Sequence, residues 1–378
     1  MDEKTLPRSD KIKKYSSLKT KIVLFSVAAS LFFTAVFLFL LSDIFFNFLS
    51  ECFKNTAAIY AVYILGFIIF TGILALPLHF VSSFLVEKKY GLTSMSFAAW
   101  ALDEIKLSLL NLIFSMAAIG FFYVVTFYFP MSWWLLSAFA WIVFSVVMSY
   151  LAPVVIIPLF LKYLPIGSSG MENMIRELAA KTGVNIAGVS RVDLSRRTLK
   201  ANAALVGMRG TRKVILADTL MDNFTLDEVE MVVAHEFGHH KYGHSRKLII
   251  FSSVSAFLGL LTLFLISGFV ASLAGTRGIY DVRTLPVIFF LVSIFDVGIL
   301  PFKNLFSRYL EREADSFALD VTGSPDVFAR MMEKLAAMNF ADTEPSFLKK
   351  IFLYSHPPIS ERITAAKSRM PGMQAGTS

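Results

Sequence analysis

Six long apolar segments constrain the fold of this chain more than any other feature. Most of them hold about 20 apolar residues, which is the length that a helix needs to cross a bilayer. Helices are expected because lipid cannot satisfy the backbone hydrogen-bonding groups of other structures. Hydrophobic residues make up 56% of the 378 residues and charged residues only 17%, below the about 25% of a soluble domain. The segments cover approximately residues 22–41, 57–86, 107–129, 133–161, 248–273 and 285–300.

The positive charges predict the orientation of these segments. Lysines and arginines are concentrated before the first segment and after the second, and such stretches stay in the cytoplasm. Both termini and the polar residues 163–245 are then cytoplasmic. The net charge of +8 therefore indicates topology, and we expect no nucleic-acid partner. The single cysteine, Cys52, excludes an intramolecular disulfide and a thiolate metal cluster.

The composition changes along the chain predict six parts. We expect a basic arm (1–21), a membrane region of four spans (22–162), a cytoplasmic catalytic part (163–245), a hairpin of two spans (246–303), a second catalytic part (304–370) and a disordered tail (371–378). Pro153 and Pro158 are expected to kink the fourth span. In the polar parts we predict helices over 172–181, 324–338 and after Pro358, and strands over 189–193, 202–206 and 213–217.

A metal-binding motif lies on one predicted helix. Thr225 and Glu228 have the spacing of a capping box, so a helix should begin there. His235 and His239 are four residues apart and share one face of it. Glu236 lies beside them, in the pattern His-Glu-x-x-His of zinc hydrolases, where zinc lowers the pKa of its water and the glutamate accepts the proton.

A third protein ligand is expected, because catalytic zinc sites usually have three. His240 and His244 lie off the face of the helix that carries the two ligands, so both are predicted to be interfacial residues or to support the ligands without binding the metal. The candidates are Glu311 and Glu313, which extend the sixth span into the cytoplasm. Glu311 shares a helix face with Asp315, which favours Glu311 as the ligand and Asp315 as the acceptor for a ligand imidazole.

These motifs resemble those of the type I CAAX prenyl protease family and, more distantly, of the HtpX-type membrane proteases. The downstream Glu-x-x-Ala-Asp, with Ser-Arg ahead of it, is similar to the family's second zinc motif. Further similar stretches are the Glu-x-x-x-Gly at Glu87–Gly91, Asn202-Ala203, the predicted strand Leu216–Leu220 and the His-Pro at His356-Pro357 with its following arginine. Leu92-Thr93 stands where the family has Phe-Asn.

The resemblance implies a fold and a set of roles. The fold is a mainly α-helical multi-pass membrane protein with a small α+β, gluzincin-like zinc protease domain. Glu311 would be the third ligand of one Zn2+ per chain. Asn202 and Ala203 would hold the substrate backbone as an added strand, His356 would stabilise the oxyanion, and Arg362 would lie near the primed side of the substrate.

Two departures from the family bear on the substrate. Eukaryotic members have seven spans, whereas six are predicted here, and no dilysine signal ends the chain. Both favour a prokaryotic member in the cytoplasmic membrane, where prenylated substrates are in doubt.

The predicted function is a membrane zinc endopeptidase that cleaves membrane-associated or prenylated polypeptides. Its partners would be peptide or membrane-protein substrates, with or without a lipid, and membrane lipids. Three alternatives stay open: a quality-control protease without prenyl specificity, a transporter or channel whose histidines gate or bind metal, and an inactive scaffold. Two ionisable residues inside spans, His79 and Asp296, are predicted to pair with a neighbouring helix or to face water.

Overall fold

The computed structural model describes residues 8–207 and 212–370. The first residues of the predicted basic arm, residue 210 and the predicted disordered tail at 371–378 lie outside these ranges. Within them, six helices are long and apolar enough to cross a membrane, which confirms the predicted number. They are span 1 (Ser9–Cys52), span 2 (Thr56–Lys89), span 3 (Phe97–Tyr128), span 4 (Trp133–Leu159), span 5 (His244–Leu265) and span 6 (Val282–Thr322).

The first four spans consist of long α-helices, three of which continue into short π-helical or 3-10 turns. From Arg8 on, the predicted basic arm belongs to span 1, since no glycine or proline interrupts residues 8–52. Pro153 and Pro158 lie in the π and 3-10 turns that end span 4, as predicted. The elements are α1 (Arg8–Val36), a π turn (Phe37–Leu41), α2 (Ser42–Cys52), α3 (Thr56–Phe80), a π turn (Val81–Leu85), α4 (Val86–Lys89), α5 (Phe97–Tyr128), α6 (Trp133–Leu151), a π turn (Ala152–Ile156) and a 3-10 turn (Ile157–Leu159).

The first polar part contains a small sheet followed by the helix of the metal motif. Its elements are β1 (Tyr163–Pro165), α7 (Ser169–Thr182), β2 (Gly188–Val192), β3 (Ala203–Val206), β4 (Lys213–Ala217), α8 (Asp218–Asn223) and α9 (Leu226–Lys241). In the described part of the chain the strand order is β1-β2-β4-β3. β2 and β4 are parallel, and the two outer pairs are antiparallel.

The three predicted strands are confirmed, and β1 is an additional one. The strand expected over Leu216–Leu220 is wrong beyond Ala217. There the chain leaves the sheet: α8 begins at Asp218, whose carboxylate accepts the backbone N–H groups of Leu194 and Ser195 at 2.9 and 3.0 Å.

The last part of the chain returns from the membrane to the sheet. Span 5 ends at Leu265, not near residue 273 as predicted, because Ser267-Gly268 disfavours a continued helix and a short second helix follows. The helix predicted over 324–338 and the helix predicted after Pro358 are both confirmed, and α14 is an additional one. The elements are α10 (His244–Leu265), α11 (Ser267–Leu273), a 3-10 turn (Val282–Thr284), α12 (Leu285–Thr322), α13 (Pro325–Asn339), α14 (Phe347–Leu353) and α15 (Ile359–Lys367).

The core of the polar part surrounds α9. Val233 and Phe237 are fully buried on α9, and they belong to one apolar cluster with Leu216 of β4 and Phe328 of α13. Burial of side chains of this size stabilises the fold by about 1.5–3 kcal/mol each. The metal motif therefore lies on a helix that is fixed from several sides.

Candidate metal centre

Helix α9 begins with the capping box that the sequence predicts. The N–H of Thr225 donates to Glu228 Oε2 at 2.9 Å, and the reciprocal Thr225 bond is also present. Lys334 Nζ of α13 donates to the same Glu228 oxygen at 2.8 Å. Burial raises the pKa of Glu228, but the bonds from Lys334 and Thr225 outweigh it and lower that pKa below its ordinary value. The carboxylate therefore holds the start of α9 against α13.

A close helix crossing brings α12 to the metal motif. A Cβ added at Gly238 of α9 would lie 3.0 Å from the Cα and 3.2 Å from the O atom of Ala314 in α12. A side chain at this position would require α12 to move away from α9, whereas glycine fits without any shift. Gly238 inside the motif therefore allows α12 to place its carboxylates beside the two histidines.

Three side chains from α9 and α12 converge on one point. His235 Nε2 lies 3.4 Å from Glu311 Oε2, and His239 Nε2 lies 3.4 Å from Glu311 Oε1. The two Nε2 atoms are 3.0 Å apart. All three ligand atoms lie within 4.8 Å of one another. Glu311 is thus the carboxylate at the histidines, and Glu313 is not.

The chemistry of this group fits a divalent metal ion such as zinc. Two imidazole nitrogens and one carboxylate are an ordinary ligand set for catalytic zinc. Glu311 Oε2 is buried, and among the described residues it has no partner of hydrogen-bonding geometry. His235 Nε2 and His356 Nδ1 lie 3.4 and 2.9 Å from it, and a buried carboxylate oxygen is costly unless a cation or a well-aligned donor satisfies it.

The electrostatics of the two histidines differ. Burial and the charge of His235 lower the pKa of His239 to about 4, so its ring is neutral, as metal ligation requires. Burial also lowers the pKa of His235, but the carboxylates of Asp315 and Glu311 outweigh it and raise that pKa to about 9. The same carboxylates favour a metal cation at this place.

Glu236 lies on the same helix, between the two histidines in sequence. The backbone N–H of Leu205 in β3 lies near its carboxylate and acts to lower its pKa. Burial raises the pKa of Glu236 above its ordinary value of 4.5. A carboxylate of raised pKa accepts and returns a proton near neutral pH more readily than an exposed one.

Asp315 and Arg362 support His235 from behind. Asp315 Oδ1 lies 2.9 Å from His235 Nδ1, at ion-pair distance but without the angle of a hydrogen bond. Arg362 donates to both Asp315 oxygens, at 2.8 and 2.5 Å. The Arg362 side chain is only 11% exposed, so its guanidinium is held by Asp315 and lies away from open solvent.

His244 is not one of the three converging residues but lies behind His239, which is one of the two roles expected for it. His244 is 1% exposed, and its Nδ1 lies 2.8 Å from Nδ1 of His239. The prediction assumed a continuous helix, but α9 ends before Gly243, whose φ of +64° turns the chain back. His244 Nε2 then lies 3.3 Å from Glu313, which also binds Lys247 at 2.9 Å.

His356 lies at the open side of the site. Its Nδ1 is 2.9 Å from Glu311 Oε2, and its side chain is 62% exposed. Sequence reasoning missed the residue that holds this loop. Arg308 of α12 is buried and donates to the carbonyl oxygens of Lys350 and Tyr354 at 2.7 and 2.8 Å. The Ser-Arg ahead of Glu311 was the available signal.

Strand β3 forms an edge of the sheet next to α9. The O atom of Asn202, just before β3, accepts the N–H of Ala217 at 3.0 Å. By alternation, the backbone N–H and C=O groups of Ala204 and Val206 also point to β4. The backbone groups of Ala203 and Leu205 point to the free edge, where Asn202 Oδ1 accepts the N–H of Ala203 at 2.9 Å. This edge lies on the side of Glu236.

The two ionisable residues inside spans lie outside this group. His79 Nε2 is 3.0 Å from Glu104 of the neighbouring α5, which is the pairing that the sequence favours. Asp296 is exposed on α12.

Comparison with known proteins places the whole chain. The model of "Peptidase family M48" matches residues 168–370, and the model of "CAAX prenyl protease N-terminal, five membrane helices" matches residues 2–162. The crystal structure of Ste24p from S. mikatae has the same fold, with a TM-score of 0.84 and 24% identity over 97% of this chain and 90% of that one.

Two relatives illustrate the range of the family. An uncharacterised metalloprotease of Bacillus subtilis, YhfN, is 27% identical over 322 residues, which cover 81% of this chain and 72% of that protein. The probable CAAX prenyl protease 1 of Schizosaccharomyces pombe is 28% identical over 80% of this chain and 65% of its own length. The bacterial relative supports the expectation of a prokaryotic member. The chain therefore belongs to peptidase family M48, as a membrane metalloprotease of the CAAX prenyl protease family.

Proposed function

We propose that this protein is a zinc endopeptidase that hydrolyses peptide bonds of membrane-associated polypeptides. The observation that carries the proposal is the convergence of His235, His239 and Glu311 within 4.8 Å, with Glu236 on the same helix. These three residues would hold one zinc ion per chain. Zinc, when bound, supplies a Lewis acid that lowers the pKa of water to about 7.

The chain's own residues would handle the proton and the substrate. Glu236 would accept the proton of the attacking water and return it to the leaving amine, which its raised pKa favours. His356, exposed beside Glu311, would donate to the oxyanion that forms on the scissile carbonyl. Asp315, with Arg362 behind it, would orient His235.

The peptide would add to the sheet at β3. Ala203 begins its free edge, with the side chain of Asn202 beside it, and an extended peptide pairs with such an edge through main-chain hydrogen bonds. The scissile bond would then lie near Glu236, since the backbone N–H of Leu205 in the same strand lies near that carboxylate. The resemblance assigns Arg362 to the primed side. Because the Arg362 guanidinium is bonded to Asp315, we propose that the main role of Arg362 is to hold the Asp315 carboxylate in place.

The substrate class is proposed from the relatives and from the position of the site. The S. pombe relative is named as a probable CAAX prenyl protease, and here Glu311 lies on span 6 itself, in the part of that helix that follows its apolar residues. Prenylated peptides are therefore candidate substrates, together with membrane-associated peptides that carry no lipid. We place the protein in the cytoplasmic membrane of a prokaryote, with the site on the cytoplasmic side.

One pair of peptides tests this proposal. The purified protein in detergent is offered the same sequence in farnesylated and unmodified form. Cleavage of the farnesylated form with a strong preference supports prenyl-dependent processing. Equal cleavage of both forms indicates a quality-control protease, and failure to cleave either form contradicts the proposed endopeptidase.

A further inference from the structure

A buried ionic junction lies away from the metal centre, at the glutamate of the Glu-x-x-x-Gly stretch. Glu87 of α4 is 8% exposed. Its Oε1 accepts from Tyr15 Oη at 2.6 Å and from Lys19 Nζ at 3.1 Å, both on α1. Its Oε2 lies 2.9 Å from Lys200 Nζ, just before β3. Both carboxylate oxygens of Glu87 therefore have partners, and they connect spans 1 and 2 to the residues just before β3.

The glycine of the same stretch makes a second connection. Gly91 has a φ of +68° and ends the helix, with Leu92 N donating to Glu87 O at 2.8 Å and Gly91 N to Lys88 O at 3.1 Å. This is a Schellman turn, in which glycine is favoured. The turn directs Leu92 O to Leu199 N at 3.0 Å.

The segment after these contacts leads directly into β3. Lys200 O accepts from Thr219 Oγ1 at 2.9 Å, and Ala201 N donates to Asn339 Oδ1 at 3.0 Å. β3 follows at Ala203, and the backbone N–H of its Leu205 lies near Glu236. The junction therefore holds one end of the strand whose other contacts define the substrate edge.

We propose that Glu87 is a positioning residue for the peptide substrate. Through Lys200 it holds the residues before β3 so that the free edge of the strand lies at a fixed place beside Glu236. This inference rests on the proposed function, because β3 matters to catalysis only if a peptide pairs with it. It gives the Glu-x-x-x-Gly stretch a role in substrate binding, although none of its residues is part of the metal centre.

The charges around Glu87 explain why the carboxylate is needed. Lys19 and Lys200 both point at it, and Lys200 Nζ also donates to Tyr15 Oη at 3.0 Å. A neutral amide at position 87 leaves two ammonium groups close together without a counter-charge, which is strongly unfavourable for partly buried groups. Lys200 is the more mobile partner because it lies on a loop, so the strand segment would move.

The test compares Glu87→Gln and Lys200→Met with a matched control, Asp342→Asn. Asp342 accepts from Ser16 Oγ of α1 at 3.3 Å and lies 3.6 Å from Lys349 Nζ. It thus also joins α1 to the C-terminal part of the chain, but without the β3 segment. Each variant is purified with zinc and assayed with the better-cleaved peptide of the pair above. Amide hydrogen exchange is measured over residues 199–206.

We expect Glu87→Gln and Lys200→Met to raise KM about tenfold with kcat nearly unchanged, as loss of substrate positioning does. Zinc content should stay at that of the wild type, and exchange over 199–206 should become faster. The double variant should be no worse than Glu87→Gln alone, because both act through one contact. Asp342→Asn should leave KM and this exchange unchanged.

Three results would overturn the inference. Unchanged exchange in Glu87→Gln would mean that the junction does not hold the strand. Faster exchange with unchanged KM, or an equal KM change in Asp342→Asn, would mean that the junction has no specific role in binding. If the wild type cleaves neither peptide, the proposed function fails, whereas the exchange comparison still tests the hold of Glu87 on β3.

Discussion

Nδ1 of His244 lies 2.8 Å from Nδ1 of His239, on the side of the ring opposite the nitrogen that faces Glu311. If His239 binds metal through Nε2, its Nδ1 carries the hydrogen and donates it to His244. Glu313 lies 3.3 Å from His244 Nε2, at ion-pair distance, so its negative charge favours a hydrogen on that nitrogen of the second ring. Metal-ligating histidines commonly need such a partner to fix their tautomer and orientation.

Replacement of His244 should therefore weaken metal binding. We expect His244→Phe, which keeps an aromatic ring in the buried position, to lower zinc affinity about tenfold. Zinc titration against a competing chelator measures this directly. His240→Phe is the control, since His240 is not one of the three converging residues. Equal zinc affinity of the wild type and His244→Phe would contradict the role of His244.

Arg362 and Asp315 should behave as one unit. Since Arg362 donates to both Asp315 oxygens, Arg362→Gln should lower zinc affinity in the same direction as Asp315→Asn. Each variant should lose about tenfold or more, and the double variant should be less than additive. An increase of KM in Arg362→Gln at unchanged zinc affinity would instead assign this arginine to the substrate alone.

Gly238→Ala should separate α9 from α12. The added Cβ would meet the Ala314 backbone at 3.0 Å, and overpacking of this kind costs about 1–3 kcal/mol. We expect a lower midpoint of thermal unfolding and weaker zinc binding, because Glu311 and Asp315 would be displaced with α12. Gly170→Ala is the control, since nothing lies within 4 Å of its added Cβ. Similar stability of the two variants would argue against the close crossing.

Acid should weaken the start of α9 through Glu228. Its pKa is lowered in the fold because the bonds from Lys334 and Thr225 outweigh burial. The stabilisation is therefore present above the ordinary value of 4.5 and is lost as the pH falls through the lower folded value. Thermal unfolding followed between pH 7 and acid should show a smaller pH-dependent loss in Glu228→Gln than in the wild type. Identical pH profiles would contradict this.

The sequence predicts those features that depend on local spacing. The spans follow from the length of apolar runs, α9 from its capping box, and the shared face of Glu311 and Asp315 from the helical period. The features that were not predictable depend on chain reversal or on distant contacts. Gly243 turns His244 back to His239, and Lys200 meets Tyr15 across 185 residues. No local pattern encodes either contact.

The β1 strand and the loop that holds His356 were missed for the same reason. β1 has only three residues, and it exists because Tyr163 and its neighbours pair with β2. Arg308 reads as one basic residue at the end of a span until its two carbonyl partners in the distant loop are seen. The short strand β1 and the loop at His356 thus take their structure from tertiary contacts rather than from their own sequence.

The most direct test of the proposed zinc endopeptidase mechanism compares zinc content and peptide cleavage in the wild type and Glu236→Gln. We expect one zinc per chain in both proteins, because Glu236 is not among the three proposed ligands. The wild type should cleave the peptide, and the variant should lose at least about 100-fold in kcat, since general acid and base catalysis contributes about 10²–10⁴-fold. Equal turnover by Glu236→Gln, or cleavage by a wild-type protein that holds no zinc, would contradict the proposed mechanism.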